Sequence, residues 1–344
     1  MKVLITGGAG FIGTNYVYAH LARHPQDELW VLDALTYSGH RENLAEAEAK
    51  GVHFIEGRIE DVPFVRDLFE TVGFDLVVHF AAESHVDRSI KNPAAFVLTN
   101  VVGTQTLLDA ARDFEVKRFH HISTDEVYGD LGFGSKERFN ENSPIRPSSP
   151  YSASKAASDF LVLSYLKTYG LPVTLSRCSN NYGPYQSLEN LIPLLISKAV
   201  EGGALPLYGT GKNVRDWLFV EDHCEAILTI LEKGKIGEIY NIGGDSEQEN
   251  VEVAQNILQI LKKPESLIHF VEDRKGHDER YAIDFSKLKT ELGWSPKMNF
   301  EEGMRRTVEW YTLSTYERSP TRGGNRISAR STHQSHEQTS AAGL

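Results

Sequence analysis

The chain has 344 residues, a formal net charge of −11 and a hydrophobic content of 40%. These values are ordinary for a globular protein of one or two domains, and no stretch approaches the about 20 apolar residues of a membrane-spanning helix. The negative charge disfavours nucleic acid and anionic membranes, so we expect neither as a partner. An anionic small substrate would require local cations.

The cysteines and the first residues bear on the cellular compartment. Cys178 and Cys224 form neither a disulfide framework nor a zinc-site spacing, so we expect no metal and a reducing, cytoplasmic location. Met1–Thr6 runs directly into a strand pattern. We therefore expect no signal peptide.

A glycine-rich turn follows the first predicted strand. Lys2–Thr6 is mostly apolar, and Gly7, Gly10 and Gly13 lead from it into a helical run. In such a motif the first glycine permits a tight turn, the second lets a pyrophosphate approach the backbone, and the third allows helix and strand to pack closely. The phosphates would lie at the positive N-terminus of the helix. The pattern predicts a dinucleotide-binding site.

An acidic residue indicates which dinucleotide is bound. Glu28–Asp33 is predicted to be the second strand, and Asp33 lies twenty positions after Gly13. A carboxylate at this place accepts hydrogen bonds from ribose hydroxyls and repels a 2′-phosphate. The sequence therefore favours NAD over NADP.

Strands and helices continue to alternate. Further strands are predicted at His53–Glu56, Asp75–Phe80, Arg118–Ile122 and Pro172–Arg177, and helices at Phe64–Glu70 and Ala94–Phe114. Repeated strand–helix units predict an α/β protein with a doubly wound parallel Rossmann sheet. Ligands of such sheets bind at the carboxyl ends of the strands.

A hydroxyl and two adjacent carboxylates follow the fifth strand, at Thr124, Asp125 and Glu126. Consecutive side chains of a strand point to opposite faces, so both acids can serve one site only where the backbone turns. Taken alone, the segment is a polar strand end with solvated acids. With the cofactor motif, the segment is predicted to lie at the ligand-binding edge of the sheet, where its two acids can act on a ligand.

A tyrosine and a lysine share one face of the next predicted helix. Tyr151 and Lys155 are four residues apart near the start of a helix that reaches about Tyr169. Apolar residues occupy more than one stripe of this helix, so it needs two partners, one of which can be another subunit. Without the cofactor motif, the pair is a helix-start aromatic beside a solvated lysine.

The pattern changes after the sixth strand. Asn180–Tyr185 is predicted to be a loop, and Tyr281–Asp284 a strand. Other helices are predicted at 188–201, from Val220, at 250–261 and at 300–311, with short strands at 205–209 and 213–217. We predict an NAD-binding Rossmann domain at 1–177, to which a strand near 238–242 returns. The range 178–315 is predicted to form mainly a smaller C-terminal substrate-binding lobe, and 316–344 a disordered tail.

These motifs together resemble a known family. Gly7, Gly10 and Gly13 with Tyr151 and Lys155 are similar to the extended short-chain dehydrogenase/reductases that act on nucleotide sugars. Within that superfamily the chain resembles the dTDP-glucose 4,6-dehydratase family over roughly residues 1–312. The segments that carry this resemblance are Asp33–Tyr37, Ala81–Ser89, Ser123–Gly129, Asn180–Tyr185, Arg215–Trp217 and Asp273–Asp278.

The resemblance implies catalytic roles. Tyr151, made acidic by Lys155 and the nicotinamide charge, would take the proton of the sugar 4-hydroxyl, and Thr124 would hydrogen-bond the 4-oxygen. Glu126 would remove the C5 proton, and protonated Asp125 would protonate the departing 6-hydroxyl. The product would be a 4-keto-6-deoxy sugar, with NAD regenerated. The two carboxyl groups need opposite protonation states, which close like charges promote.

The resemblance also implies two sets of binding residues. For NAD they are Gly7, Gly10, Phe11, Ile12, Gly13, Asp33, Ala34, Leu35, Thr36, Ile59, Phe80, Ala81, Ala82, Thr99, Tyr151, Lys155 and Asn181. For dTDP-glucose they are Ser84, Thr124, Asn180, Asn190, Leu191, Pro206, Leu207, Tyr208, Arg215, Asn250, Asp273 and His277. Arg215 and His277 would supply cations for the diphosphate.

One position departs from the family. After the third strand the family has Gly-Asp-Ile, whose aspartate accepts a hydrogen bond from the adenine amine, whereas this chain has Gly57, Arg58 and Ile59. Arg58 cannot accept that bond. It can stack on the adenine or point to solvent.

Several alternatives stay open at this point. A UDP- or CDP-glucose 4,6-dehydratase would use the same chemistry, and a nucleotide-sugar 4-epimerase would need only Tyr151 and Lys155. A non-catalytic NAD-binding sensor would need neither Asp125 nor Glu126. The resemblance also implies a homodimer built on the helices near Ala94–Phe114 and Ser152–Tyr169.

Overall fold

The structure is a computed structural model that describes residues 1–274 and 276–317, with only the backbone for residues 314–317. The strands are β1 (Lys2–Thr6), β2 (Glu28–Asp33), β3 (His53–Glu56), β4 (Leu76–His79), β5 (Arg118–Thr124), β6 (Val173–Cys178), β7 (Asn180–Tyr182), β8 (Leu205–Tyr208), β9 (Val214–Phe219), β10 (Ile239–Ile242), β11 (Glu247–Glu249) and β12 (Ile268–Val271). The predicted disordered tail lies outside the described residues, except for its first two, which end the last helix.

Helices connect and cover these strands. They are α1 (Phe11–Arg23), α2 (Ala45–Glu48), α3 (Val62–Val72), α4 (Val86–Lys91), α5 (Pro93–Phe96), α6 (Thr104–Asp113), α7 (Pro150–Tyr169), α8 (Leu191–Glu201), α9 (Val220–Lys233), α10 (Asn250–Leu261), α11 (Ser286–Leu292) and α12 (Phe300–Glu317). Within the described part of the chain, no helix is both long enough and apolar enough to span a lipid bilayer.

Seven parallel strands form the main sheet, in the order β10-β6-β5-β4-β1-β2-β3. One apolar cluster packs α1, α9 and α11 against one face, and a second packs α3, α6 and α7 against the other. Each cluster removes strand side chains from water, which explains why the strands are apolar on both faces. The predicted doubly wound Rossmann sheet is confirmed.

A smaller lobe with its own apolar core is built from the later part of the chain. It contains the three-stranded sheet β11-β9-β7 and the pair β12-β8, covered by α8, α10 and α12. However, α9 packs on α1, and β10 pairs with β6 of the main sheet. Residues 220–242 therefore belong to the large sheet and its covering layer.

Three predicted elements differ from the structure. Asn180–Tyr182, predicted to be part of a loop, is a strand that pairs with Trp217–Phe219. The predicted strand Tyr281–Asp284 is irregular and shows only one isolated bridge, between Ile283 and Phe139. The predicted helix Ala94–Phe114 includes a π-helical stretch, Val97–Gly103, between α5 and α6.

A hydrogen-bonded asparagine lies within that π-helical stretch. Asn100 accepts a bond from the backbone N–H of Glu83 at 2.8 Å and donates to the carbonyl of Glu83 at 2.9 Å and to Ser154 Oγ at 2.8 Å. Asn100 thereby ties the loop after β4 to the helix that carries Tyr151. π-helical insertions are frequently found at functional sites.

Candidate active site

The carboxyl ends of β1, β2, β4, β5 and β6 border a cleft that we call the cofactor cleft. The predicted NAD residues that line it are Gly7, Gly10, Phe11, Ile12, Gly13, Asp33, Ala34, Thr36, Ile59, Phe80, Ala81, Ala82, Thr99, Tyr151, Lys155 and Asn181. Leu35 was predicted with them but does not line the cleft. Gly39 and Glu60 line it and were not predicted.

The glycine loop makes close backbone contacts that a side chain would prevent. Gly7 has φ +71°, and a Cβ on it would lie 2.6 Å from the backbone nitrogen of Ala81. A Cβ on Gly13 would lie 2.2 Å from the carbonyl oxygen of Gly7. Gly10 caps α1 without a side-chain hydrogen bond, so the first N–H groups of the helix stay available to an anion. This cradle fits the pyrophosphate of a dinucleotide.

The carboxylate of Asp33 is fixed by backbone donors. The N–H of Ala9 donates to Asp33 Oδ2 at 3.0 Å, and the N–H of Leu35 donates to Oδ1 at 2.9 Å. Leu35 thus supports Asp33 from outside the cleft. Burial raises the pKa of Asp33, while these N–H donors lower it. A carboxylate retains acceptor sites beyond these two bonds, so Asp33 fits ribose hydroxyls.

Arg58 lines the cofactor cleft beside Glu60. Arg58 donates from a terminal guanidinium nitrogen to Glu60 Oε1 at 3.0 Å, and 59% of its side chain is exposed. Arg58 therefore forms an ion pair at the rim of the cleft. In an exposed setting such a pair contributes little to stability.

The end of β5 brings three polar side chains to one place. Thr124 is the last residue of β5, and its Oγ1 accepts a hydrogen bond from the N–H of Glu126 at 3.3 Å. This cap begins a 3₁₀ turn over Asp125–Tyr128, which bends the backbone where the strand ends. Thr124, Asp125 and Glu126 consequently all line the cofactor cleft. The divergence expected of strand neighbours does not occur.

The two carboxyl groups differ in their electrostatic surroundings. Burial, assisted by Glu126 and Asp216, raises the pKa of Asp125 well above its ordinary value. Burial also raises the pKa of Glu126, but Arg274 and Arg215 oppose the shift. Asp125 is therefore the carboxyl group suited to hold a proton, and Glu126 is the one suited to ionise.

Tyr151 and Lys155 lie on the first turns of α7, which a Ser149–Ser152 capping box begins. Lys155 Nζ donates to the carbonyl oxygen of Ile122 on β5 at 2.7 Å. Burial lowers the pKa of Lys155 to about 8. Burial, with Glu126 next in size, raises the pKa of Tyr151 well above its ordinary value. In the protein by itself the Thr124 hydroxyl lowers the pKa of Tyr151, but burial outweighs this effect, so the implied acidification of the phenol is not seen.

Asn181 is held in place by a buried histidine. Asn181 Nδ2 donates to the carbonyl oxygen of Ser179 at 2.9 Å, so Asn181 Oδ1 is the acceptor for His223 Nδ1 at 2.9 Å. Burial lowers the pKa of His223 to about 3, which keeps the ring neutral. His223 was not predicted. It lies 42 residues from Asn181, and no local pattern marks it.

A second cleft adjoins the cofactor cleft. The predicted substrate residues that line it are Ser84, Asn180, Asn190, Leu191, Pro206, Leu207, Tyr208, Arg215, Asn250 and His277. Glu126, Asn180 and Asn181 line both clefts, so the two spaces meet at the turn after β5. Thr124 lines only the cofactor cleft. Asp273 lines neither and instead bonds His277 Nδ1 through Oδ1 at 2.6 Å.

Two arginines and a histidine line the second cleft together with the carboxyl groups of Asp87, Glu126 and Glu189. Arg215, Arg274 and His277 contribute to its wall. Arg215 is 5% exposed, and burial lowers its pKa. Burial likewise lowers the pKa of His277, with Arg274 next in size. The resemblance implied cations from Arg215 and His277, but the lowered pKa of His277 disfavours a charged ring. The two guanidinium groups supply the local positive charge that an anionic substrate requires.

A glycine-lined dinucleotide cleft, a Tyr–Lys pair on one helix and an adjoining cationic cleft together define an extended short-chain dehydrogenase/reductase. The sequence profile of the GDP-mannose 4,6 dehydratase family matches residues 4–307. A dTDP-glucose 4,6-dehydratase of Xanthomonas campestris is 54% identical over 327 residues, which cover 90% of this chain and 92% of the relative. The chain belongs to the dTDP-glucose 4,6-dehydratase family.

Solved structures agree with this assignment. The Streptomyces venezuelae dTDP-glucose 4,6-dehydratase DesIV, crystallised with NAD, superposes with a TM-score of 0.89 at 48% identity, over 92% of this chain and 98% of that one. The Thermus thermophilus UDP-glucose 4-epimerase, also with NAD, gives 0.83 at 34% identity, over 91% and 99%. The fold is common to both activities. Sequence identity is higher to the dehydratase.

Proposed function

We propose that the protein converts dTDP-glucose into dTDP-4-keto-6-deoxyglucose and water, with NAD as its cofactor. The observation that carries this proposal is the position of two neighbouring carboxyl groups. The buried Asp125 lines the cofactor cleft, and the half-buried Glu126 lines both clefts where they meet. An acid and a base are required to remove water, and simple hydride transfer requires neither in addition to Tyr151.

The first chemical step uses Tyr151 and Thr124. NAD, which the glycine loop and Asp33 would hold, would supply the acceptor for a hydride from C4 of the sugar and the donor of that hydride to C6, while C5 regains the proton removed from it. The positive charges of Lys155 and of bound nicotinamide would offset the burial that raises the pKa of Tyr151, so that its phenolate takes the proton of the 4-hydroxyl. The Thr124 hydroxyl, which donates to Asp125 in the protein alone, would turn its hydrogen to the 4-oxygen. Lys155, fixed by the Ile122 carbonyl, keeps a positive charge next to the reaction at a pH below its pKa of about 8.

The elimination uses the two carboxyl groups in opposite roles. The 4-keto group makes the C5 proton acidic, and Glu126 removes it. Asp125, which burial keeps protonated, gives its proton to the departing 6-hydroxyl group. Groups held in opposite protonation states by their surroundings are the expected acid and base of a site.

The second cleft holds the nucleotide part of the substrate. Arg215 contributes a cation for the diphosphate, while Leu191, Pro206 and Leu207 contribute apolar surface for the base. We propose that the smaller lobe supplies most of this surface. A guanidinium suits a diphosphate because its N–H groups match phosphate oxygens in pairs.

A product assay with three substrates tests the proposal. The purified protein is incubated with dTDP-, UDP- and CDP-glucose, and each product is identified by NMR. We expect a 4-keto-6-deoxy sugar, formed fastest from dTDP-glucose. A faster reaction of UDP- or CDP-glucose would make that nucleotide sugar, and not dTDP-glucose, the preferred substrate. A galactose product would make the protein a 4-epimerase, and NAD binding without turnover would make it a sensor.

We propose that the protein is a homodimer. Val97, Leu98 and Val102 on the π-helical stretch and Phe160 on α7 are between 39% and 58% exposed. The π-helical stretch packs against α7 within the chain, so these side chains can contribute to one apolar surface. We expect Phe160→Glu to give a monomer in analytical ultracentrifugation. An unchanged sedimentation coefficient would contradict this interface.

We also propose a cytoplasmic location. Cys178 and Cys224 are both free and buried. A reducing compartment keeps such thiols unoxidised. Fractionation of cells that express the full chain tests this location.

A further inference from the structure

The guanidinium of Arg215 is buried without a charged partner among its hydrogen bonds. One terminal nitrogen donates to the carbonyl oxygen of Val214 at 2.7 Å, and the other donates to the carbonyl oxygen of Asp278 at 2.9 Å. Carbonyl oxygens satisfy donors but do not neutralise the charge. Burial lowers the pKa of Arg215 more than the carboxyl groups of Glu126 and Asp125 raise it, so the charge is only partly compensated. A buried cation of this kind is unfavourable until an anion binds. Something else must keep this side chain in the cleft wall.

The ring of Tyr281 provides that support. The guanidinium carbon of Arg215 lies 4.3 Å from the centroid of the ring, and Tyr281 is 2% exposed. The negative face of an aromatic ring attracts a cation, and the attraction is strongest where water is excluded. A ring over one face of the planar guanidinium does not use its N–H donors, and the three of five that do not bond Val214 or Asp278 remain available to an anion. Arg215 and Tyr281 both line the second cleft.

Asp278 fixes both partners of this pair. Its carboxylate accepts hydrogen bonds from the hydroxyl groups of Tyr281 and Ser148. Its backbone carbonyl accepts from Arg215 and from Asn213 Nδ2, the latter at 3.1 Å. The ring and the cation are thus held by one residue. Their relative position is set before substrate arrives, which reduces the cost of ordering them on binding.

We propose that Tyr281 is a positioning residue that holds Arg215 in the orientation that binds the diphosphate of the nucleotide sugar. This inference rests on the proposed function. It adds that affinity for the diphosphate depends on a side chain that acts through Arg215. Two variants separate the ring from its hydroxyl group. Tyr281→Phe keeps the ring and loses the bond to Asp278, whereas Tyr281→Leu removes the ring.

Binding measurements without turnover test the inference. The dissociation constant of dTDP is measured by calorimetry, and that of thymidine, which has no phosphate, by ligand-observed NMR. We expect weaker dTDP binding by about threefold in Tyr281→Phe and about 30-fold in Tyr281→Leu, from the loss of one hydrogen bond and of a desolvated cation–π contact. Thymidine binding should stay within about twofold, because thymidine lacks the diphosphate that Arg215 is proposed to bind.

A double-mutant cycle assigns the effect to Arg215. In the Arg215→Ala background, Tyr281→Leu should change dTDP affinity by less than about twofold, since the group it positions is gone. A full 30-fold loss in that background would overturn the inference. So would an equal loss of thymidine affinity, which would indicate a collapsed cleft.

A matched tyrosine serves as control. Tyr165 also donates its hydroxyl to an aspartate, Asp109 Oδ1 at 2.8 Å, and lies outside both clefts. Tyr165→Phe should leave dTDP binding unchanged. If the parent protein binds dTDP and the Tyr281 variants bind it equally well, the inference fails and the proposed function stands. A parent protein that neither binds dTDP nor converts dTDP-glucose would overturn both.

Discussion

Thr124 Oγ1 donates a hydrogen bond to Asp125 Oδ1 over 3.3 Å, so the last residue of β5 orients the carboxyl group that follows it. The other oxygen of this carboxyl group, Oδ2, is buried and has no hydrogen-bond partner among the described residues. A buried polar atom without a partner is costly unless it bonds a ligand. We propose that Asp125 Oδ2 carries the proton that is given to the departing 6-hydroxyl group.

Asp125→Asn should slow water loss while leaving the earlier steps intact. An asparagine keeps the shape and a hydrogen-bond donor but cannot give up a proton, and general acid catalysis contributes about 10²–10⁴-fold. We expect the rate of product formation to fall by about 10³-fold. Exchange of the C5 proton with deuterated solvent, followed by NMR, should continue. Loss of that exchange as well would contradict the assignment of Asp125 as the acid.

Glu126→Gln should stop the reaction one step earlier. Without a base at C5 the 4-keto sugar cannot eliminate, but hydride transfer from C4 still proceeds. The near-ultraviolet absorbance of reduced nicotinamide should therefore accumulate in a single turnover with dTDP-glucose. The exposed Glu56→Gln, which makes the same charge change outside the clefts, is the control. A variant that forms product would exclude Glu126 as the base.

Gly13→Ala should disrupt the cradle for the pyrophosphate. The added Cβ would lie 2.2 Å from the Gly7 carbonyl oxygen, and neither backbone can yield without moving α1 away from the loop. Overpacking of this kind costs about 3 kcal/mol, which urea unfolding measures. Gly203→Ala should change stability by less than about 0.5 kcal/mol, since the nearest atom to its Cβ lies at 3.6 Å. Equal effects at the two sites would contradict the packing argument.

Arg58→Asp should tighten the binding of NAD. It replaces a group that can only donate by one that accepts from the adenine amine, and a hydrogen bond to a charged group is worth about 1.5 kcal/mol, or about tenfold in affinity. Titration of intrinsic fluorescence measures the change. Arg66→Asp makes the same charge change at an exposed ion pair with Asp113, outside both clefts. An unchanged dissociation constant in Arg58→Asp would exclude position 58 from the adenine site.

His223 should make the protein less stable in acid. Its folded pKa of about 3 lies below the about 6.5 of an unfolded chain. Between these values the unfolded chain binds a proton that the folded chain does not, so stability falls as pH decreases from about 6.5. His223→Gln removes this contribution. Near pH 5 the pH slope of its unfolding free energy should be smaller than the parent's by about 1.4 kcal/mol per pH unit.

The control for this prediction is His269→Gln on the exposed face of β12. This variant makes the same substitution at an exposed position, and we expect it to show the parent's slope. A parent-like slope in His223→Gln would show that the buried ring does not titrate on unfolding.

Apolar runs and glycine spacing predicted the large sheet and its cofactor cleft, because both depend on residues close together in the chain. Asn180–Tyr182 was predicted to be a loop because its partner strand, which includes Trp217, lies 37 residues later. The polar strand Glu247–Glu249 pairs with the same strand and has no local signal. Pairings of this kind arise only from the tertiary fold.

The turn after β5 likewise depends on residues that are distant in the chain, and this dependence could not be predicted from local sequence. The sequence marked Thr124, Asp125 and Glu126, but the pKa of Glu126 depends first on burial and then on Arg274 and Arg215, which are distant in the chain. Tyr281 and Asp278 were not predicted to act on Arg215 because they lie 66 and 63 residues from it. Contacts between such distant segments are recognised only in the three-dimensional structure.

β10 pairs with β6 but is translated about 60 residues after it, and this order has a consequence for synthesis on the ribosome. Every residue of β6 is buried, and β10 and α9 cover its outer edge and face. A chain that ends at residue 178 therefore exposes the side chains and the unpaired backbone groups of β6, and such an edge is a template for association with other chains. We expect that a fragment ending there aggregates, and that one extended past residue 242 stays dispersed. The large sheet that borders the cofactor cleft is thus completed by residues 220–242, which are translated long after the glycine loop at residues 7–13.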